Sequence, residues 1–236
     1  MMHAHCCEPP ELKNTAVPCR NLAMSNGMTQ EYRMPAGFGE AEFTEKRSRF
    51  TGRVWPVETE AEALEKIAAM RQTYWDATHN VYAYSIRGGQ TRYSDDGEPQ
   101  GTSGMPTLHV FQSEGITNLC CVVTRYYGGI LLGAGGLVRA YSKAAKAALD
   151  AAGVLLMRQW RQMLVPCPYN LYERVKVIVL ESGGIIEEAD FAVDVLLQVL
   201  IPVEQVELVE RRLMDVSAGT VAAESIDTVF RGVRVR

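Results

Sequence analysis

Long apolar runs are missing from this 236-residue sequence. No stretch approaches the roughly 18 apolar residues that a membrane-spanning helix needs, and no basic start leads into an apolar segment of the secretory type. The six cysteines include two adjacent pairs, at 6–7 and 120–121, and no C-x-x-C spacing. These absences argue against a membrane span, a signal peptide and a zinc-ribbon or thioredoxin-like motif. They predict a reducing, cytoplasmic compartment.

An excess of basic residues is also missing, since 24 Lys and Arg face 28 Asp and Glu and the net charge is −4. Such a chain does not coat nucleic acid through a broad positive field, which leaves a local basic patch as the only route to that role. Phosphate-loop, dinucleotide, nucleophile-elbow and H-E-x-x-H motifs are absent as well. No catalytic residue and no metal site is therefore assigned, and a non-enzymatic protein is favoured.

Periodicity divides the chain into three segments. Residues 1–30 show neither helical nor strand periodicity and are interpreted as a flexible leader or a mis-called start, with Met24 and Met28 as alternative first residues. Residues 31–155 are expected to form a first domain and residues 160–236 a second. The linker is predicted near 153–159.

The first domain is predicted to mix strands and helices. Segment 56–80 has a capping box at Thr59 and Glu62 and an apolar helical face that ends in Tyr74 and Trp75. The run TNLCCVVTRYY has the continuous β-branched character of a strand that is buried on both faces. Further strands are predicted at 48–57, at 80–89 and within 89–98. A short helix is predicted after Ser103, which is its candidate cap, and a longer helix is predicted over 136–153, where Gly153 ends it.

The second domain is predicted to follow the order β-α-β-β-α-β, which is the ferredoxin-like arrangement. Its strands are expected at 162–169, twice within 183–202 and at 220–235, and its helices at 170–182 and 203–219. The overall fold class is therefore predicted to be α+β.

Five glycines fall within residues 128–136, between the predicted buried strand and the next helix. On that helix Arg139, Lys143 and Lys146 are spaced four and three residues apart and form a basic stripe, while Arg125 precedes the glycines. Glycines before a helix N-terminus let a phosphate reach the free N–H groups, which predicts an anion site. The spacing supports equally well tight packing by the glycines beside a merely solvated stripe.

Three carboxylates, Asp95, Asp96 and Glu98, lie within four residues. They could hold Mg²⁺ beside a phosphate, although the spacing is not that of an EF-hand. The favoured interpretation is a structured loop with a charged rim, because Asp-Asp-Gly at Gly97 has turn chemistry and Gly101 shapes the segment that follows.

Single residues leave further alternatives open. His79 is a candidate acid or base, but a histidine without a nucleophilic partner is more often structural. Five tyrosines can stack on bases or pack in the core, namely Tyr82, Tyr84, Tyr93, Tyr126 and Tyr127. Cys120 and Cys121 are expected to point to opposite sides of a buried strand and to be unreactive.

Four blocks of this sequence resemble the YigZ/IMPACT family: SRF, DATHNVYAY, SDDGEPQGTSGMP and VVTRYYGGILLGAGGLVRAYSKA. The resemblance covers about residues 43–153. The tail from about residue 160 resembles the smaller C-terminal domain of the bacterial two-domain branch.

This resemblance implies a fold and a partner. The first domain would be a β-α-β sandwich similar to domain IV of elongation factor G, and the second would be similar to its ferredoxin-like domain V. Neighbouring domains of a ribosomal translocase imply RNA or the ribosome as partner, and the eukaryotic relatives imply a protein partner in translational control. The surface that the resemblance implies consists of Asp95, Asp96, Gly97, Glu98, Gly101, Arg125, Tyr126, Gly128, Gly129, Gly135, Gly136 and Arg139.

The favoured hypothesis is a non-enzymatic RNA- or ribosome-binding regulator of translation, with no membrane partner and acting as a monomer. The alternatives are a protein–protein adaptor and a Mg-dependent enzyme that binds a nucleotide or phosphate; no other cofactor is expected. Predicted nucleic-acid or anion contacts are Arg125, Tyr126, Gly128, Gly129, Gly135, Gly136, Arg139, Lys143 and Lys146. Further loop candidates are Asp95, Asp96, Gly97, Glu98, Gly101 and His79.

Overall fold

The computed structural model describes residues 31–236, so the predicted leader 1–30 lies outside the described residues. The first part of the chain builds an antiparallel sheet in the order β2-β3-β6-β4-β5. Its strands are β2 (Gly39–Glu45), β3 (Ser48–Pro56), β4 (His79–Ser85), β5 (Thr91–Ser94) and β6 (Leu119–Tyr126), preceded in the chain by β1 (Tyr32–Pro35). Its helices are α1 (Glu60–Thr73), α2 (Gly104–Ser113) and α3 (Ala134–Ala152).

The central strand β6 is buried on both faces, as the apolar run predicts. Cys121 and Val123 pack in the cluster that contains α3, whereas Cys120 and Val122 pack in the cluster that contains α1. The layers are therefore one helix, the sheet and two helices. This arrangement corrects the expected β-α-β layering, because apolar side chains on both faces of β6 require a helix on each side.

Helix α3 approaches the sheet closely at two glycines outside the glycine run. A Cβ atom at Gly52 would lie 2.4 Å from the Ala144 carbonyl oxygen, and one at Gly39 would lie 2.2 Å from the Ala148 carbonyl oxygen. Tight helix-on-sheet packing is thus provided by glycines on β2 and β3. The glycine run at 128–136 needs a separate explanation.

Strands β1 and β2 were not predicted from the sequence, where the first strand is placed at 48–57. Strand β2 is an edge strand whose outward face carries Glu40, Glu42 and Thr44. Glutamate has low strand propensity, so the alternation of polar and apolar residues does not stand out. The consequence for the site is that the hairpin between β2 and β3 is also missed.

The second sheet follows the predicted β-α-β-β-α-β order. Its strands are β7 (Val154–Cys167), β8 (Ile185–Phe191), β9 (Val195–Pro202) and β10 (Glu224–Arg234), and its helices are α4 (Tyr172–Glu181) and α5 (Val206–Ser217), the latter preceded by a 3₁₀ turn at Val203–Gln205. The antiparallel strand order is β10-β7-β9-β8. Helices α4 and α5 cover one face of this sheet, and Val179 and Leu213 lie in the hydrophobic core between the helices and the sheet. The α+β class with antiparallel sheets is therefore confirmed.

The two sheets are joined without a loop-like linker. The sequence predicts a linker at 153–159, but residues 154–159 form the start of β7, and β1 pairs with β7 at residues 154–157. The Thr117 amide donates to the Arg33 carbonyl, and Arg236 Nη1 lies 2.6 Å from Glu114 Oε2. Among residues 31–236, none of the helices has both the length and the apolar character needed to cross a membrane.

Candidate functional site

Arg125 and Glu98, two predicted site residues, meet inside the protein. They are 5% and 8% exposed, and Arg125 Nη1 lies 2.5 Å from Glu98 Oε1. The Tyr141 hydroxyl donates to the same oxygen at 2.7 Å, and Arg125 Nη2 donates to Ser48 Oγ at 3.3 Å. Burial, followed by the Glu98 charge, raises the pKa of Tyr141, so its hydroxyl stays a donor. A buried, paired guanidinium is not open to a phosphate from solvent.

His79 fastens the carboxylate loop to β4. Its Nδ1 lies 2.7 Å from the Asp96 carbonyl oxygen, and because a carbonyl can only accept, this nitrogen is assigned the proton. Its Nε2 lies 3.8 Å from Glu98 Oε1. The ring therefore contacts the buried Arg125–Glu98 pair, an arrangement that favours the structural role over that of an acid or base.

Asp95 caps helix α2 with its carboxylate. The amides of Ser103 and Gly104 donate to Oδ1 at 3.2 and 2.8 Å, and the Gly101 amide donates to Oδ2 at 2.9 Å. Ser103, the cap expected from sequence, makes no cap bond of its own, and its hydroxyl instead donates to Asp95 at 2.7 Å. Burial raises the pKa of Asp95, but these hydrogen bonds outweigh it and hold the pKa below its ordinary value.

The Asp95→Asn variant is therefore expected to be less stable by about 1 kcal/mol at neutral pH, the usual scale of a helix cap and its charge–dipole interaction. The pKa is depressed in the folded state, so the stabilisation is complete above the unfolded value of about 4 and is lost as the pH falls through the folded value. Urea denaturation at pH 7 and near pH 3 measures both. A wild-type advantage that is undiminished at pH 3 would contradict the ionic contribution.

Asp96 is engaged as well. Its Oδ1 accepts from Arg71 Nη2 at 2.9 Å and its Oδ2 from the Asn80 amide at 2.7 Å. Within residues 31–236 no group of three or more His, Cys, Asp or Glu side chains is arranged to hold a metal ion. With Asp95, Asp96 and Glu98 all bound to protein donors, the geometry favours the structured loop over a magnesium site.

The members of the glycine run have different roles. A Cβ at Gly128 would lie 2.1 Å from the Arg47 carbonyl, so the backbone passes directly against the β2–β3 turn. Gly129 and Gly133 have φ of +83° and +73°, which side chains disfavour. A Cβ at Gly136 would come within 2.9 Å of Leu132. At Gly135 it would meet only Arg139 Nη1, at 3.7 Å, so neither space nor φ requires glycine there.

The β2–β3 turn places two cations beside Gly128. Lys46 and Arg47 occupy its central positions with φ of +46° and +66°. Turns with two positive φ angles favour Asn-Gly, and each non-glycine residue in such a conformation costs on the order of 1 kcal/mol. Backbone strain of this kind is often found at functional sites. Sequence reasoning missed both residues because β2, and hence the turn, was not predicted.

Arg139 and Lys143 extend this cationic region from helix α3. They line a cleft of about 220 Å³ together with Lys46, Phe43, Leu132 and Glu45. Lys143 Nζ lies 4.3 Å from the centre of the Phe43 ring. We call Lys46, Arg47, Arg139 and Lys143 the basic surface. Across the described part of the chain, none of these four side chains forms an ion pair.

Lys146, the third residue of the predicted stripe, does not lie with Arg139 and Lys143 in the structure. Its Nζ lies 2.7 Å from Asp150 Oδ1 and 2.9 Å from Glu114 Oε1. The structure therefore brings Arg139 and Lys143 together, places Lys146 in a separate ion-paired group and buries Arg125. Arg139 and Lys143 face the β2–β3 turn, where they line the cleft with Lys46.

Tyr126 and the cysteines complete the predicted set. The Tyr126 hydroxyl donates to Asp76 Oδ1 at 2.8 Å, and the Arg49 guanidinium lies 4.6 Å from the centre of its ring. Both Cys120 and Cys121 are buried, and burial raises the pKa of Cys120 to about 12. The expectation of unreactive cysteines follows directly from that environment.

Comparison with known proteins matches both parts of the chain. Residues 46–149 match the family described as "Impact N-terminal domain", and residues 165–220 match "Domain of unknown function (DUF1949)". A solved structure described as "Crystal structure of an hypothetical protein" is similar with a TM-score of 0.53 and 29% identity, covering 85% of this chain and 99% of that one.

Bacterial relatives are covered over most of their length. The chain is 38% identical over 159 residues to "IMPACT family member YvyE" of Bacillus subtilis, covering 66% of this chain and 73% of the relative. It is 32% identical over 187 residues to "IMPACT family member YigZ" of Escherichia coli, covering 77% and 91%. It is 32% identical over 131 residues to "Protein IMPACT" of Rattus norvegicus, covering 53% of this chain and 40% of that protein. Because the two domain matches follow one another along the sequence and the bacterial relatives align over most of their length, the chain belongs to the IMPACT family, in its two-domain bacterial branch.

Proposed function

We propose that the protein binds RNA, ribosomal RNA in the first instance, through the basic surface, and regulates translation in the cytoplasm without catalysing a reaction. The observation that carries this proposal is the basic surface itself. Lys46, Arg139 and Lys143 line one cleft, which Glu45 lines as well, and Arg47 follows Lys46 in the turn. Within residues 31–236 none of these four cations forms an ion pair, on a chain whose net charge is −4.

Unpaired surface cations lose little on contacting phosphate, because no existing ion pair has to be broken. The basic surface also borders the first turn of α3, where Gly133 supplies no side-chain cap to the free N–H groups. Phosphates are the anions that such a combination binds best. The resemblance of the sequence to domains IV and V of elongation factor G is the reason for naming the ribosome as the source of the RNA.

The double variant Arg139→Glu with Lys143→Glu is expected to lose ribosome binding at low salt. Each phosphate contact with a single strand contributes about 0.7 to the slope of log K against log salt. Removing two contacts lowers the slope by about 1.4 and the affinity by roughly 25-fold at 0.1 M salt. Co-sedimentation with ribosomes across a salt series measures both quantities.

The matched control is Arg174→Glu with Arg211→Glu, which makes the same change in net charge at exposed positions on α4 and α5. The control is expected to bind like the wild type. Equal loss in both double variants would show only a dependence on total charge, and unchanged binding by the Arg139 and Lys143 variant would contradict the proposal.

A protein–protein adaptor is the second candidate function, favoured by one observation. Beside the glycine run, Leu131 is 80% exposed and Ile130 and Val138 are exposed as well. Such an apolar group next to a defined loop can serve as a docking face. Association with ribosomes that survives nuclease treatment would favour this candidate. The Mg-dependent alternative has less support, because its three carboxylates are already bound to protein donors.

A further inference from the structure

Strand β10 is a long strand at an open edge of the second sheet. It runs for 11 residues and, within residues 31–236, pairs with β7 alone. In an antiparallel edge strand the N–H and C=O groups of alternate residues point away from the single neighbour and can accept a further strand. The first four residues of β10 are exposed and the next four are half-buried. A row of backbone groups is therefore open for pairing.

The charges of β10 differ from those of the edge strands β2 and β8. The charged residues of β2 and β8 are all acidic, so a second copy of either strand would place carboxylates against carboxylates. Charges of this kind protect sheet edges against self-association. Strand β10 instead carries two carboxylates in its first half and two guanidinium groups in its second, on Glu224, Asp227, Arg231 and Arg234. An antiparallel copy of β10 therefore meets opposite charges.

The positions of Asp227 and Arg231 define one register of self-pairing. Both lie two residues from Val229 and after the bulge that follows Ser225, so the side chains of these three residues lie on one face of the strand. When a second copy runs antiparallel with Val229 opposite Val229, Asp227 of each chain stands opposite Arg231 of the other. Two ion pairs then flank an apolar contact at the two-fold axis.

Both charged groups are placed to form these pairs. Asp227 is exposed, its Oδ1 accepts from the neighbouring Thr228 amide at 2.7 Å, and among residues 31–236 its carboxylate forms no ion pair. Arg231 Nη1 binds Glu187, and the Arg231 side chain remains 28% exposed. Because a guanidinium has five N–H donors, Arg231 can hold Glu187 and a second carboxylate at once. The Glu187 contact also lowers the side-chain entropy that Arg231 would lose on binding a partner.

We infer that a second copy of this chain pairs with β10 edge to edge, in a two-fold dimer centred on Val229 with Asp227 opposite Arg231. A symmetric dimer uses the same patch on both subunits, and β10 is self-complementary in this sense. Pairing of the two β10 strands joins both copies of the second sheet into one continuous sheet. The monomer expected from the sequence differs from this, because the charge pattern matters only once β10 is known to lie at an edge.

The test is a charge swap, followed by sedimentation velocity at protein concentrations up to about 500 µM, since a small interface binds weakly. Asp227→Lys places a cation opposite each Arg231 and is expected to raise the dimer dissociation constant at least about 10-fold. The double variant Arg231→Glu with Glu187→Gln places a carboxylate opposite each Asp227 and is expected to dissociate to a similar degree. Glu187→Gln is included so that the new glutamate does not face a second carboxylate within its own chain.

An equimolar mixture of the two variants distinguishes this interface from any other. In the mixed dimer the new lysine faces the new glutamate and the native Arg231 faces the native Asp227. Each variant alone is therefore expected to be largely monomeric, whereas the mixture is expected to dimerise like the wild type. Asp190→Lys makes the same change in charge on the edge strand β8 and is the matched control, expected to dimerise like the wild type.

Three outcomes overturn the inference. A wild type that stays monomeric over the whole concentration range leaves the β10 edge to a different partner. Dimerisation of Asp227→Lys equal to that of the wild type places the interface elsewhere on the chain. A mixture that stays monomeric, although circular dichroism shows both variants to be folded, rejects the register centred on Val229. None of these results bears on RNA binding, which the variant at Arg139 and Lys143 tests separately.

Discussion

Replacing Arg125 with methionine is expected to lower the free energy of unfolding by about 3–5 kcal/mol, because it leaves the buried Glu98 carboxylate without its counter-charge. The two groups lie 2.5 Å apart and are almost fully removed from solvent. After the change, the Tyr141 hydroxyl is the closest remaining donor to Glu98, and a single neutral hydrogen bond does not compensate a desolvated charge. Chemical denaturation followed by circular dichroism measures the loss.

The double variant Arg125→Met with Glu98→Gln is the matched control, because it removes both charges and so leaves no buried carboxylate without a counter-charge. It is expected to recover a substantial part of the stability. A double variant as unstable as the single one would show that the site matters through shape rather than through charge. Both are expected to keep the RNA affinity of the wild type where they are folded, because Arg125 is not part of the basic surface.

The interior of the fold is predictable from this sequence because its signals are local. A continuous run of β-branched residues predicts strand β6, and a segment with alanines on one side and cations on the other predicts helix α3. Strand β2 is not predictable in the same way, since the polar residues Glu40, Glu42 and Thr44 occupy its outward face. An edge strand needs apolar residues on one face only, and that face here is shared with Gly39, which leaves little to detect.

The candidate site also has a part that local sequence signals predict and a part that they do not. Helical spacing predicts that Arg139 and Lys143 lie side by side, and the structure places them together. Spacing cannot reveal that Lys146 forms an ion pair with Glu114 or that Arg125 forms a buried one with Glu98. In each pair the two residues are about 30 positions apart in the chain. Contacts of this kind depend on how α2 and its preceding loop pack, which is tertiary information.

The same substitution, glycine to alanine, made at Gly128 and at Gly135 separates the packing role of the glycine run from its role in ligand binding. Gly128→Ala is expected to cost about 3 kcal/mol, because the new methyl group would sit 2.1 Å from the Arg47 backbone and must push the β2–β3 turn away. That displacement also moves Lys46 and Arg47, so RNA affinity is expected to fall along with stability. Denaturation and oligouridine titration of the same preparation measure the two effects. A variant as stable as the wild type would contradict the close approach.

Gly135→Ala is the matched control and is expected to act in the opposite direction on stability. Its methyl group meets only Arg139 Nη1 at 3.7 Å, and alanine in the first turn of α3 should raise stability by about 0.5–1 kcal/mol through lower unfolded-state entropy. Since no packing demand keeps glycine at this position, we expect its value to lie in letting a phosphate come close to the N-terminus of α3. A more stable protein that binds oligouridine less tightly is then the expected result. Unchanged affinity would assign the whole run to packing at Gly128 and Gly136 and to turn conformation at Gly129 and Gly133, and would leave phosphate contact to the side chains of the basic surface alone.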